Sequence, residues 1–202
     1  MSSIFVTGTD TGVGKTVVSA WLVRSWQADY WKPVQSGTAD GRDADVIRAA
    51  SPGTVIHDSA FSLSAALSPH EAARRDGVAI RLEDFHLPST SRPLVVEGAG
   101  GVLVPLDDRH FIVDLIARLG LPTLVVARST LGTINHTLLT VEALRRRRLR
   151  IAGIVLNGPP DPANRQAIEH FANVPVVAEL PQLTDSAAIA DHPPLSWRPA
   201  HD

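Results

Sequence analysis

The stretch Gly8-Thr9-Asp10-Thr11-Gly12-Val13-Gly14-Lys15-Thr16 carries the clearest chemistry in the chain. Glycines let a backbone curl until several N–H groups point inward at a polyphosphate. A lysine ammonium adds a mobile charge for the β- and γ-phosphates, and a threonine hydroxyl adds an oxygen for Mg²⁺. The apolar run Ile4-Phe5-Val6 precedes the loop, and a helix-like run from Val17 to Trp26 follows it. Strand, glycine-rich turn, Lys-Thr and helix is the layout of a phosphate-binding loop, where the new helix contributes its positive end. An ordinary glycine-rich turn would not need Gly-Lys-Thr at the switch. The spacing is unusual: five residues, Thr9 to Val13, separate Gly8 from Gly14, where the common pattern has four.

Among 19 basic residues only Lys15 and Lys32 are lysine, and the rest are arginine. A lysine kept against that bias suits chemistry that needs a compact ammonium where a planar guanidinium fits badly. Lys32 ends a short apolar run, so it would bind a transferred phosphoryl or charge developing on an acyl group, unless it merely snorkels to the surface. Glu97 follows the run Leu94-Val95-Val96 and precedes Gly98-Ala99-Gly100-Gly101. A carboxylate there can hold Mg²⁺ while the glycines let a ligand approach; the plain alternative is a strand-end Glu with a flexible turn. Asp43 and Asp45 sit where a Gly-rich loop enters a helix, so either could complete a magnesium shell, and Asp43 could equally be that helix's cap. Asn157 ends a strand and could meet an adenine edge, or simply form an Asn-Gly turn with Gly158. The run Arg145 to Arg148 reads as a solvated helix end rather than a nucleic-acid patch, because no aromatic residues interleave and the formal net charge is -2.

The elements that must position these groups follow from periodicity. Short apolar runs at 4–6, 30–34, 94–96, 123–127, 151–156 and 174–178 read as strands. They are continuous rather than alternating, as expected for strands buried on both faces of a parallel sheet. Helix patterns lie between them: 17–26, 43–50, 69–75, 112–119, 134–147 and 162–171. The alternation predicts a doubly wound α/β fold, a mostly parallel sheet with helices on both faces, in a single domain over residues 1–202. The Pro-rich tail from about residue 185 is expected to be irregular. In such sheets ligands bind beyond the carboxyl ends of the strands. The polar and glycine residues named above all follow strands, so they should converge on one edge. With no cysteine, disulfides and thiolate sites are excluded. No signal-like segment or membrane-length apolar run is present, so a soluble cytoplasmic protein is the expectation, with neither nucleic acid nor membrane as partner.

Taken together the motifs resemble the dethiobiotin synthetase family. They are Thr7 to Thr11 through Gly14-Lys15-Thr16, Lys32-Pro33-Val34 with Ser36-Gly37, Ser68-Pro69-His70, Val96 to Gly101, and Leu131-Gly132-Thr133-Ile134-Asn135-His136. The five-residue loop spacing belongs to this resemblance. It implies a P-loop NTPase-type fold and a cyclo-ligase of biotin biosynthesis. The substrates would be 7,8-diaminononanoate, CO₂ or bicarbonate, and ATP, with Mg²⁺ required. By resemblance Lys15, Lys32 and Thr11 serve the chemistry. ATP would meet Gly12, Val13, Gly14, Lys15, Thr16 and Val17, then Asp43, then Glu97, Gly98, Ala99 and Gly100. Its adenine would meet Asn157 and Gly158 with Pro181, Gln182 and Leu183. Mg²⁺ would be held by Thr16, Glu97 and Asp43, with Asp45 as the alternate. Substrate would be bound by Thr11 and Ser36, and across a homodimer by the partner's turn carrying Gly132, Thr133 and Asn135. Gly12 stands where some members carry an acid, so loose nucleotide selectivity is expected. Two other classes share parts of this pattern: a partitioning-type ATPase switch, and a small-molecule kinase that stops at phosphorylation.

Overall fold

The computed structural model describes residues 3–38, 43–183 and 185–199. Its main sheet has seven strands: β1 (Ile4–Gly8), β2 (Asp29–Trp31), β4 (Ile56–His57), β6 (Leu94–Gly101), β7 (Thr123–Arg128), β8 (Ile151–Asn157) and β9 (Val176–Leu180). They pair in the order β4-β2-β6-β1-β7-β8-β9, and every pairing is parallel. A parallel pair must be joined by a crossover, which is why helices lie between the strands. Successive residues of one strand feed opposite faces. Phe5, Val125, Ala127, Ile154 and Leu156 join one core, while Ile4, Val6, Leu124, Val126 and Val155 join the other. Helices α1 (Lys15–Trp26), α2 (Asp43–Ala50) and α7 (Ser186–Asp191) close the second core. Helices α3 (Pro69–Asp76), α4 (Ile112–Leu119), α5 (Thr133–Arg146) and α6 (Pro162–Ala172) close the first. With two buried faces, an alternating polar pattern would place a polar group in a core, so the strands read as continuous apolar runs.

Several expectations need correction. Val34 does not continue β2. It opens β3 (Val34–Ser36), which pairs with β5 (Phe61–Leu63) in a separate two-stranded sheet. Pro33 lies between the two strands and has no N–H to offer a ladder. Strand β6 does not stop at Val96 but runs through the glycines to Gly101, so Glu97 lies within the strand rather than after it. Asp43 is the first residue of α2 rather than its cap. Its carboxylate is drawn to Lys32 and Thr16, charged and polar groups stronger than a helix terminus.

The segment after residue 185 contains α7 and then an extended stretch laid along α1. Trp21 Nε1 donates to the Pro193 carbonyl at 2.8 Å, and Trp26 Nε1 donates to that of Trp197 at 3.2 Å. The Arg198 guanidinium lies 4.9 Å from the centre of the Trp26 ring. The arginine run at the end of α5 is exposed, as expected, with Arg145 donating to Ala172, Arg146 pairing with Glu142 and Arg147 with Asp114. Among the described residues no helix is long and apolar enough to cross a membrane.

Candidate active site

The loop between β1 and α1 is fixed at both ends. At the front, the Thr9 N–H donates to the Val126 carbonyl at 2.9 Å. Asp10 accepts the Thr11 N–H at 2.7 Å through one carboxylate oxygen and Arg128 at 2.8 Å through the other. At the back, Asn157 Nδ2 donates to the Val13 carbonyl at 3.0 Å. Lys15 folds over the loop and donates to the Asp10 carbonyl at 3.0 Å.

A cluster of charged groups forms beside it at the carboxyl edge of the sheet. Lys32, 9% exposed, donates to Asp43 and, at 3.2 Å, to Glu97 Oε1. The Thr16 hydroxyl faces both carboxylates, Asp43 Oδ1 and Glu97 Oε1, the latter at 2.9 Å. Tyr30 donates to the other Glu97 oxygen at 3.0 Å. Glu97 itself is 1% exposed. Thr11, Gly14, Lys15, Thr16, Lys32, Ser36, Asp43, Glu97, Ala99 and Gly100 line one cleft of about 570 Å³. The glycine-rich run β6 fits tightly where it passes: a Cβ on Gly98 would lie 2.8 Å from Phe5 Cε1.

Burial alone would push Lys32 down, but the Glu97 and Asp43 carboxylates outweigh it and hold the ammonium above its ordinary value. Burial pushes Asp43 up, yet Lys32 and the hydrogen bonds it receives hold it below the usual carboxylate range. Lys15 ends up lowered, because burial outweighs the pull of Glu97 and the Lys32 charge adds to the effect. Burial, then the Glu97 charge, hold the Tyr30 phenol well above its usual value, so it stays a donor. These directions set signs for stability against pH. Asp43 contributes stability present above its unfolded value and lost as pH falls through its folded value. Lys32 contributes stability present below its unfolded value and lost as pH rises through its folded value. Lys15 opposes folding while charged, and that penalty is relieved between its folded and unfolded values. We expect the thermal midpoint to fall on the acid side in wild type and to fall less steeply there in Asp43→Asn, as scanning calorimetry across pH would measure.

The residues singled out by sequence divide into groups. Lys15, Thr16, Lys32, Asp43 and Glu97 converge, with Thr11 and Ser36 on the wall of the same cleft. Asp45 is turned away and pairs with Arg48 at 2.7 Å. Asn157 sits beneath the loop, and its Oδ1 is buried with no partner among the described residues. Gly158 is tied to Leu180 by its N–H at 2.8 Å. Pro181 and Gln182 are exposed. Leu183 faces Val17, Val46 and Ile189 in a separate cavity of about 370 Å³. The turn at 131–135 lies off the main cleft: Leu131 is fully exposed and Asn135 exposed, while Thr133 uses its hydroxyl on the Arg128 carbonyl at 2.5 Å. Sequence reasoning gave no role to Tyr30, Gln35 or Arg128, which the structure places in or beside the cleft. Tyr30 was masked by its apolar strand. Gln35 is buried on β3 and lines the same cleft, and a three-residue strand gives no period from which to read it. Arg128 ends β7 at the ligand edge, as the strand-end rule places it, but its pairing with Asp10 comes from a loop distant in sequence.

The donor set Thr16, Asp43 and Glu97 is all oxygen, two of them carboxylate, which suits a hard cation such as Mg²⁺ that also keeps waters and phosphate oxygens. Comparison with known proteins then identifies the family. The chain is 57% identical over 200 residues to the ATP-dependent dethiobiotin synthetase of Paramagnetospirillum magneticum, spanning 98% of this chain and 97% of that protein. The chain belongs to the dethiobiotin synthetase family. The synthetase of Brucella ovis is 46% identical over 187 residues, 91% of this chain and 88% of its own length. The biotin biosynthesis bifunctional protein of Bordetella avium is 55% identical over 183 residues, which span 89% of this chain and 39% of that longer protein. A family profile described as an AAA domain matches residues 2–190. A solved ParA family ATPase from Chlorobium tepidum is similar in fold, with a TM-score of 0.59 over 91% of this chain and 86% of that one. At 13% identity it supports the P-loop NTPase fold alone, and gives the partitioning-switch reading no weight against the synthetase relatives.

Proposed function

We propose that this chain is an ATP-dependent ligase that makes dethiobiotin from 7,8-diaminononanoate and CO₂. The observation that carries the reading is the meeting of two ammonium groups and two carboxylates beside a phosphate loop, in a member of the dethiobiotin synthetase family. One amine of the diamine adds to CO₂, losing a proton and giving a carbamate. The carbamate oxygen takes the γ-phosphoryl of ATP, releasing ADP and leaving a carbamic–phosphoric anhydride. The second amine attacks the anhydride carbon, phosphate leaves, and the amine's proton is lost as the cyclic urea closes.

The chain's groups match these needs. Lys15 leaves the Asp10 carbonyl and follows the transferring phosphoryl, adding positive charge where negative charge accumulates. Lys32, anchored by Asp43 and Glu97, faces the carbamate oxygens. Thr11 and Ser36 orient the diamine by hydrogen bonds, which supports the near-attack geometry that closing a ring requires. Thr16, Asp43 and Glu97 would hold Mg²⁺, whose chemistry is to neutralise phosphate charge. The free Oδ1 of Asn157 suits the exocyclic amine of adenine, with Pro181, Gln182 and Leu183 beside the base. Gly132, Thr133 and Asn135 lie at a fresh helix start away from the chain's own cleft, so they serve a substrate carboxylate in a second copy within a homodimer. The working compartment is the cytoplasm, and residues 1–202 act as one domain.

Release of ADP separates this reading from a kinase or a switch. We expect ADP to form only when diaminononanoate and bicarbonate are both present, together with a urea-containing product found by mass spectrometry. ADP release that ignores bicarbonate would exclude the ligase.

A further inference from the structure

Tyr30 is the only tyrosine in the chain and is fully buried. It lies on β2 opposite Val95 and packs in the core with Ile4, Val6 and Val95. The apolar core holds one side of the ring, and the other side borders a polar cavity with Asp45, Arg48 and His57, so the direction of its hydroxyl is set by its place in the sheet rather than by the main cleft. That hydroxyl donates to Glu97 Oε2 at 3.0 Å. The other oxygen, Oε1, faces the cleft and meets Thr16 at 2.9 Å and Lys32 at 3.2 Å. The two oxygens of one carboxylate therefore have separate tasks, one toward the core and one toward the ligands.

We propose that Tyr30 is a positioning residue that sets metal specificity: by occupying Oε2 it keeps Glu97 a one-oxygen ligand, which favours Mg²⁺ over Ca²⁺. The inference rests on the Mg²⁺–ATP reading above. Magnesium takes six oxygens in a tight octahedron and is satisfied by single carboxylate oxygens, waters and phosphate. Calcium takes six to eight at longer range and often gains the extra contacts from two-oxygen carboxylates. With Oε2 held by a phenol, the protein offers one oxygen each from Thr16 and Glu97 beside Asp43, whose far oxygen is held by Lys32. The site is short of what calcium needs. Partners of this kind, one bond removed from the metal, change affinity by about ten- to a hundredfold when lost.

The test is the calorimetric affinity of ATP in excess Mg²⁺ and in excess Ca²⁺, without diamine or bicarbonate, for wild type and Tyr30→Phe. Wild type should bind ATP more tightly with Mg²⁺, and Tyr30→Phe should narrow that preference about tenfold. A hydroxyl that served only to satisfy a buried carboxylate would lower the thermal midpoint and leave the ratio where it was. A preference unchanged in Tyr30→Phe, or absent from wild type, overturns the proposal. No binding of ATP with either cation by wild type would instead defeat the reading it rests on. If Tyr30→Phe does not fold, replacing tyrosine throughout with 3-fluorotyrosine labels this one position. Its single ¹⁹F line should move further with Ca²⁺–ATP than with Mg²⁺–ATP, because only calcium competes for Oε2. Equal shifts would overturn the proposal as well.

Discussion

Lys32→Met is expected to lower turnover by about a thousandfold, while ATP binding weakens far less. Removing a preorganised charge donor from a water-poor site costs about two to three orders of magnitude in turnover, and among the described residues Lys32 has no neighbour able to replace it. Lys15 rests on the Asp10 carbonyl, and in the proposed chemistry its charge is taken up by the transferring phosphoryl. The substitution also leaves Asp43 and Glu97 facing one another without the ammonium between them. Stranding a buried charge in this way costs about 3–5 kcal/mol, so the variant should also melt earlier. Mg²⁺ should restore more stability to it than to wild type, since a cation could then take up the unpaired carboxylates. Lys32→Arg is the sharper control. It keeps the charge and should fold, but a planar fork cannot sit between two carboxylates that converge on one small ammonium. ADP release under saturating substrates, measured beside thermal melting, separates lost chemistry from lost folding. Turnover within tenfold of wild type for both variants would remove Lys32 from the mechanism.

The same cluster shows how far the sequence could be read. Lys15 and Thr16 were legible because the loop motif is local: strand, turn and helix start lie within one short stretch. Lys32 was legible through scarcity and its place at a strand end. Glu97 was found for a partly wrong reason. Glycines usually end a strand, and β2 does stop pairing at Val96, yet β6 continues because Gly8 of β1 pairs with Gly101 across an irregularity, with Gly100 at a positive φ of 60°. Tyr30 was not legible. In an apolar strand it looks like core, and only the register of β2 against β6 brings its hydroxyl to Glu97. The short strands β4 and β5 escaped because two or three residues carry no period, and their pairing depends on distant partners. Helix α7 escaped because the prolines after it suggested an irregular tail. Its Asp185 cap, which accepts the Ala188 N–H at 2.8 Å, was the available signal.

Gly14→Ala should remove measurable ATP binding and with it turnover, through two separable causes. Gly14 caps α1 with φ at 94°, a left-handed conformation that a side chain opposes by about 1–2 kcal/mol. It is also crowded: a Cβ there would lie 2.0 Å from Asn157 Nδ2 and 2.9 Å from Asn157 Cγ. Asn157 cannot step aside freely, because the same amide holds the Val13 carbonyl. The new methyl must therefore push either the loop or the end of β8, and the loop N–H groups lose their common aim. An affinity loss of about a hundredfold corresponds to about 2.7 kcal/mol, more than the left-handed backbone supplies, so the clash with Asn157 must carry the remainder. The double variant Gly14→Ala with Asn157→Ala removes the clash and leaves the left-handed backbone. It should regain part of the lost ATP affinity, beyond what Asn157→Ala alone would allow if the two changes were independent. Strict additivity of the two single losses in calorimetric titrations would mean that Asn157 does not buttress the phosphate loop. Any loss in Asn157→Ala alone would then come from its contact with the base and not from support of the loop.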